Sequence, residues 1–250
     1  MDILSLSSVV LLFGAGCLAG ALNAVAGGAT FFTFPVLIAS GLPPMVANAT
    51  NFVALVPSNI AALPAFRDEL RAVGRGLIPL LAVCGAGGVL GALLLLWMGA
   101  GVFADLVPWL MGTATALFAF APWLRQQMVR FSLAQAAIWP LLFLFSVYGG
   151  YFGAGLGQIM LAALILCGYE RFHTANALKN AVIGWISLLA VVIYGFGAAV
   201  AWPQALIMMA GATVGGYGGG ALSHLVPQRG LRLAMIGFGV VLTTYYFVTI

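Results

Sequence analysis

An apolar segment interrupted by glycines occurs twice in this chain of 250 residues, the copies lying 129 residues apart. The first copy runs from Gly20 to Asn51, GALNAVAGGATFFTFPVLIASGLPPMVANATN. The second runs from Gly149 to Asn180, GGYFGAGLGQIMLAALILCGYERFHTANALKN. Gly20 aligns with Gly149, Gly28 with Gly157 and Asn51 with Asn180. Each copy has a Gly-rich break, an apolar run, a short turn and an Ala/Asn-rich helix start. Duplicated, interrupted hydrophobic segments point to the binding site of a secondary transporter. Helix ends at membrane depth offer backbone N–H groups and dipole charge that an unbroken helix keeps to itself.

Composition leaves little room for a soluble fold. Hydrophobic residues make up 64% of the chain and charged residues 6%, against roughly a quarter charged in a soluble domain. Nearly all of the chain must therefore be solvated by lipid or by itself. The 33 glycines suit membrane helices, which approach closely through small residues. The net charge of +4 rests on few groups, so it bears on topology and not on nucleic acid. Cys17, Cys84 and Cys167 are scattered in apolar runs with no spacing suited to a disulfide or a metal. With Asp2 and no basic stretch at the start, no cleaved signal is expected.

Apolar stretches of spanning length fall at about 46–66, 76–98, 102–124, 175–196, 203–222 and 231–249. The repeated segments do not fit that rule. Residues 5–40 form one apolar run broken at Gly27–Gly28, and residues 133–168 another broken around Gly153–Gly157. About 20 residues cross a bilayer, so each run is too long for one crossing and too short for two. A re-entrant hairpin of shortened helices fits, provided its irregular backbone is buried or lines a cavity. Close-packing points in a long tilted helix are the plainer reading of the same glycines.

The arginines separate these readings. Arg67, Arg71 and Arg75 share one connection, Arg125 and Arg130 a second, Arg171 a third, Arg229 and Arg232 a fourth. Only if both broken segments are hairpins do all eight fall on one side, which is then cytoplasmic. The expected fold is an all-α integral membrane protein of two inverted repeats, each a broken hairpin plus three transmembrane helices. Repeat 1 occupies 1–125 with its hairpin at 5–40. Repeat 2 occupies 131–250 with its hairpin at 133–168, and 126–130 is a cytoplasmic linker. Both termini lie outside.

Lys179 is the chain's single lysine, just inside the apolar run that begins near Thr174. Ionisable residues within the membrane are functional candidates by default; the plain alternative is a lysine snorkelling to the headgroups. No acidic residue lies at its depth, whereas an anionic substrate would neutralise it. Asn176 and Asn180 flank it, and Gly184 and Ser187 follow on the same face. In the first copy Thr50 takes the position of Lys179 and Asn51 that of Asn180. Asn48, Asn51 and Ser58 share a face with Asn59 beside them. Asn23 and Thr30 flank the Gly27–Gly28 break, and Gln158 follows the second break at Gly157. Amides and hydroxyls around two broken helices suit an oxyanion, though Asn and Thr also serve as structural glue between membrane helices. Trp97, Trp109, Trp123, Trp139 and Trp202 fall near helix ends, as an aromatic belt requires.

HExxH and GxSxG are absent, and no carboxylate pair is placed for an intramembrane enzyme. FGAGLG at 152–157 follows no strand and lacks dinucleotide-loop spacing. No cofactor, metal or catalytic residue is expected.

The stretches AGALNAVAGGATFFTFPVL with ANATN, and YFGAGLGQIMLAALILCG with HTANALKN, resemble the TauE/SafE sulfite/sulfonate exporter family. The resemblance spans nearly the whole chain. The first glycine pair with Pro35 downstream follows the family pattern. The second copy departs from it, with GAGLGQ in place of a glycine run and Leu164 where the first copy has Pro35. The resemblance implies export of sulfite, sulfoacetate or related small anions from the cytoplasm across a bacterial inner membrane. Proton- or sodium-coupled uptake of a small anion is the alternative within the class, and a non-transporting membrane assembly partner the alternative outside it. The expected partners are a small anion and the lipid bilayer, with a homodimer left open and no nucleic acid. Substrate-binding candidates are Lys179, Asn180, Asn51, Thr50, Asn23, Gly27, Gly28, Thr30, Gly157, Gln158 and Asn176.

Overall fold

Long apolar runs form helices here, and the two glycine-rich breaks end them. The computed structural model describes residues 5–25, 28–61, 63–130, 135–169, 171–197, 200–222 and 228–249. Among these residues every regular element is helical. The α-helices are α1 (Leu6–Val25), α2 (Thr30–Ala39), α3 (Pro44–Ala61), α4 (Arg67–Val73), α5 (Leu77–Arg130), α6 (Gln135–Tyr151), α7 (Leu156–Leu166), α8 (Phe172–Gly197), α9 (Trp202–Leu222) and α10 (Gln228–Thr249). Short 3₁₀ turns at Leu63–Phe66 and Gly74–Gly76 flank α4.

The spans expected at 76–98 and 102–124 form one assigned helix, α5, interrupted at Gly99, where φ is 78° and ψ is 174°. Leu94 and Leu117 line one groove, yet a straight helix would hold them roughly 35 Å apart. The chain therefore doubles back at Gly99, a conformation suited to a residue without Cβ. The helix then continues through 126–130, the stretch expected as a linker, and reaches Arg130.

Both broken segments are pairs of helices, but unequal ones. The second arms, α2 and α7, have 10 and 11 residues. The first arms do not match the expectation of shortened helices, because α1 has 20 residues and α6 has 17. At 1.5 Å per residue α1 is about 30 Å long, the thickness of a hydrocarbon core. The reason is the position of the break, which falls late in each apolar run.

The two halves exchange these long arms. α1 lies along α9, and α6 lies along the 77–98 part of α5. Small residues bring the backbones together at matching places. A Cβ on Gly20 would collide with the carbonyl oxygen of Ala212, and one on Gly150 with that of Gly88. Gly211 and Gly215 meet the carbonyls of Phe13 and Cys17 as Gly87 and Gly91 meet those of Phe143 and Val147. Equivalent positions are 130 residues apart along the arms and 124 apart along their partners. Gly20 therefore corresponds to Gly150, one residue beyond the Gly149 that the sequence alignment suggests. Four residues separate the helices at each break, α1 from α2 and α6 from α7.

α3 runs antiparallel to α8 between the two hairpins. Phe52 stacks edge-on with Tyr194, while Asn59, further along α3, lies beside Gly184, earlier in α8. Three described stretches are apolar and long enough to cross a membrane by length and composition: Leu6–Asn23, Arg67–Phe120 and Phe172–Gly197. α3 falls outside that set because it carries Asn48, Thr50, Asn51, Ser58 and Asn59, all turned inward and buried. Trp97, Trp109, Trp123, Trp139 and Trp202 are all exposed, as residues of a lipid-facing belt must be.

The crossings give a direct test. Gly20→Leu and Gly150→Leu should each lower the melting temperature of the purified protein, since overpacking typically costs about 1–3 kcal/mol. Gly14→Ala, where nothing lies within 4 Å of the new methyl, should leave melting unchanged or raise it. Unaltered melting of both leucine variants would mean that the helices separate without cost.

Candidate functional site

The first break opens at Gly28, whose φ is 99°. A side chain there would strike the Phe118 ring and the Met235 methyl. Gly27 lies outside the described residues. The second break turns at Gly153 and Gly155, with φ of 79° and 77°. Gly157 differs from expectation: it sits inside the first turn of α7, because the left-handed Gly155 already completes the turn that starts the helix. The first N–H groups of a helix have no intrahelical acceptor. Ala29, Thr30 and Gly157 stand at the starts of α2 and α7, and all three line a single cavity.

That cavity, of about 50 Å³, lies between the two breaks, α3 and α8. It is close to the size of a few water molecules or one small ion. Its polar wall includes Asn23, Thr30, Asn51, Asn59, Lys179, Asn180 and Ser187; its apolar wall includes Phe52, Leu55, Leu156 and Ile183. Residues distant in sequence thus converge: Lys179, Asn180, Asn51, Asn23, Gly28, Thr30 and Gly157 share one space. Lys179 is 6% exposed and is the single buried charged side chain among the described residues. No described residue accepts a hydrogen bond or an ion pair from it. It does not snorkel outward but lines the cavity.

The amides on α3 are held as a row. The Asn51 amide donates to Thr30 Oγ1 at 3.3 Å, and its carbonyl accepts from the Thr33 hydroxyl. Asn23 Nδ2 donates to Asn59 Oδ1 at 2.6 Å and reaches Ser58 Oγ at 3.4 Å. One helix therefore fixes both arms of the first hairpin.

Three expected site residues fall elsewhere. Thr50 is fully buried away from the cavity and accepts the backbone N–H of Ala201 at 3.0 Å, which ties α3 to the start of α9. Asn176, one turn before Lys179 on α8, does not line the cavity. Gln158 also lies off the wall, one residue past Gly157 on α7.

Other residues hold the second break in ways that local pattern does not announce. Carbonyls freed by the interruption need partners in a membrane interior. The Tyr194 hydroxyl donates to the Gly150 carbonyl, the Tyr148 hydroxyl to that of Ala154 at 2.6 Å, and Asn48 Nδ2 to that of Tyr151 at 3.0 Å. Phe52 packs against Gly153 and forms the wall nearest that break. A polar residue among apolar ones was the available signal for Asn48. The tyrosines gave none.

The profile of the family described as sulfite exporter TauE/SafE matches residues 12–246. A probable membrane transporter protein of Haemophilus influenzae is 30% identical over 221 residues, covering 86% of this chain and 84% of the relative. The probable membrane transporter protein YfcA of Escherichia coli K12 is 30% identical over 238 residues, covering 89% and 82%. A relative in Sinorhizobium, the probable membrane transporter protein ORF9, is 26% identical, covering 93% and 88%. No solved structure matches the chain.

Tyr194→Phe should destabilise the protein by about 1–3 kcal/mol, because the Gly150 carbonyl loses its donor in a buried place. Thermal melting in detergent checks this, with Tyr217→Phe as the control, since Tyr217 is 89% exposed and its hydroxyl should be dispensable.

Proposed function

Because the chain belongs to the TauE/SafE sulfite exporter family, we propose that it exports small sulfur-containing anions, sulfite, sulfoacetate or related organosulfonates, from the cytoplasm. The chain is a membrane transporter and not an enzyme, as its family and its relatives indicate. The observation that carries the anion reading is Lys179: one buried ammonium facing a cavity, with no carboxylate paired to it among the described residues. A buried cation is costly unless paired, and a bound anion supplies the missing partner. Asn51, Asn180, Asn23 and Thr30 add neutral donors, and the starts of α2 and α7 add the positive ends of two helix dipoles.

Direction follows from charge. With the cell interior negative, outward movement of an anion gains about 2.3 kcal/mol per charge per 100 mV. A uniporter can expel anions on that term alone. The repeated packing of α1 on α9 and of α6 on α5 supports two inverted repeats, with the cavity at their junction. In that arrangement all eight arginines fall on one side, which gives a cytoplasmic face for their four connections and outside positions for both termini.

Lys179→Ala should weaken sulfite or sulfoacetate binding at least tenfold, since truncating one member of a buried charge pair costs about 2–5 kcal/mol. Lys179→Arg should rescue it only in part, because a planar fork replaces a compact charge. Calorimetric binding and flux in liposomes check both. Unchanged affinity and flux in Lys179→Ala would remove the lysine from the site. Coupled uptake in place of export would appear as flux that depends on a proton or sodium gradient and runs inward.

Topology is tested separately. Cysteines placed at Arg71, Arg130 and Arg229 in a Cys-less background should all be shielded from impermeant thiol reagents in intact cells. Labelling at one of these positions in intact cells, with the others shielded, contradicts the inverted arrangement.

A further inference from the structure

A second feature lies away from the cavity, where α3 gives way to α5. The 3₁₀ turn at Leu63–Phe66 and α4 join α3 to α5, pack against α8 and leave an open groove of about 480 Å³. Its floor is carbon: Ile60, Leu63, Pro64, Leu70 and Leu77. Its rim is Arg67 and Arg71, one helical turn apart on α4, so both guanidiniums stand on the same face as Leu70. Both arginines are exposed, and among the described residues neither is paired with an acidic group. Asp68 and Glu69 also lie on α4, but neither lines the groove. Ile60 is 41% exposed, so the apolar floor opens outward and is not closed by the protein's own packing.

An apolar trough ending at two unpaired guanidiniums has the polarity of an anionic amphiphile in reverse. We propose that this groove seats one anionic phospholipid, an acyl chain along Ile60, Leu63 and Leu77 and the phosphate between Arg67 and Arg71. Three observations point to lipid and not to a soluble anion or peptide. The groove sits where the membrane-length apolar stretch of α5 begins, the level at which headgroups lie. Guanidinium pairs match phosphate bidentately and are weakly hydrated. Basic groups beside a membrane helix draw acidic lipids electrostatically, and here an apolar slot adjoins them. The site also touches the transport machinery, for Ile60 follows Asn59, the residue that holds Asn23 at the first break.

The full-length protein, delipidated in a neutral detergent, is titrated with phosphatidylglycerol or phosphatidylcholine and read by native mass spectrometry and thermal shift. Phosphatidylglycerol should be retained as one adduct per chain and raise the melting temperature; phosphatidylcholine should do neither. Arg67→Gln/Arg71→Gln should weaken retention about tenfold or more. The single substitutions are measured alongside in case the pair does not fold. Arg125→Gln/Arg130→Gln, on a different connection, should retain the lipid as the parent does. An equal loss in that variant would reduce the effect to overall positive charge and overturn the site. Equal stabilisation by water-soluble glycerophosphoglycerol would show a headgroup contact without the acyl seat, which also overturns it. These readouts need no transport, so they stand apart from the fate of the anion-export reading.

Discussion

Backbone against backbone is the contact on which this fold rests. Lipid tails are as apolar as leucine, so there is no hydrophobic gain in bringing two such helices together. Association depends on van der Waals proximity, and only small residues let two helix axes come close. Gly16 and Gly20 of α1 meet α9, and Gly150 of α6 meets α5, at carbonyl oxygens. A leucine at such a position would move the whole arm, and the breaks are carried at the ends of those arms. The place of Gly28 or Gly153 in space is therefore set by glycines several turns away.

α3 converts that placement into a site. It touches the first hairpin through Asn51 and Asn59 and the second through Asn48, so a single helix spaces both breaks. Hydrogen bonds of this kind between membrane helices average only about 0.6 kcal/mol. Their value is geometric: they fix which way amides point, not how tightly the protein holds together. Against that neutral frame Lys179 is the one strong electrostatic element among the described residues, buried and without a counter-charge.

Much of this was legible in the chain itself, for reasons that differ residue by residue. The break at Gly28, the turn at Gly153 and Gly155, and the isolation of Lys179 are departures from an apolar background, and such departures survive without tertiary information. The inward face of α3 was legible because its Asn and Ser residues recur at helical spacing. What could not be read depends on partners distant in sequence. Thr50 occupies the repeat position of Lys179 yet bonds to Ala201, which no local pattern connects to it. Gly157 reads as part of a break because it aligns with Gly28, but α7 begins directly after the left-handed Gly155 and takes Gly157 into its first turn. The long first arms were obscured because a run of 36 residues does not say where its two helices divide. The tyrosines that satisfy the carbonyls of the second break have nothing in their own segments to mark them.

The exchange of arms also sets an order of assembly. α1 emerges from the ribosome well before the surface it packs against, for α9 begins almost two hundred residues later. At about 5–20 residues per second the nascent chain carries its first hairpin for roughly ten to forty seconds with α3 made but α9 still to come. Throughout that interval a helix with glycine-lined flanks and a broken companion sits in the membrane beside whatever the insertion machinery provides. α6 faces no such wait, since its partner in α5 is already made. α1 thus completes its packing later than α6 does, and the first hairpin reaches its final surroundings only when α9 arrives.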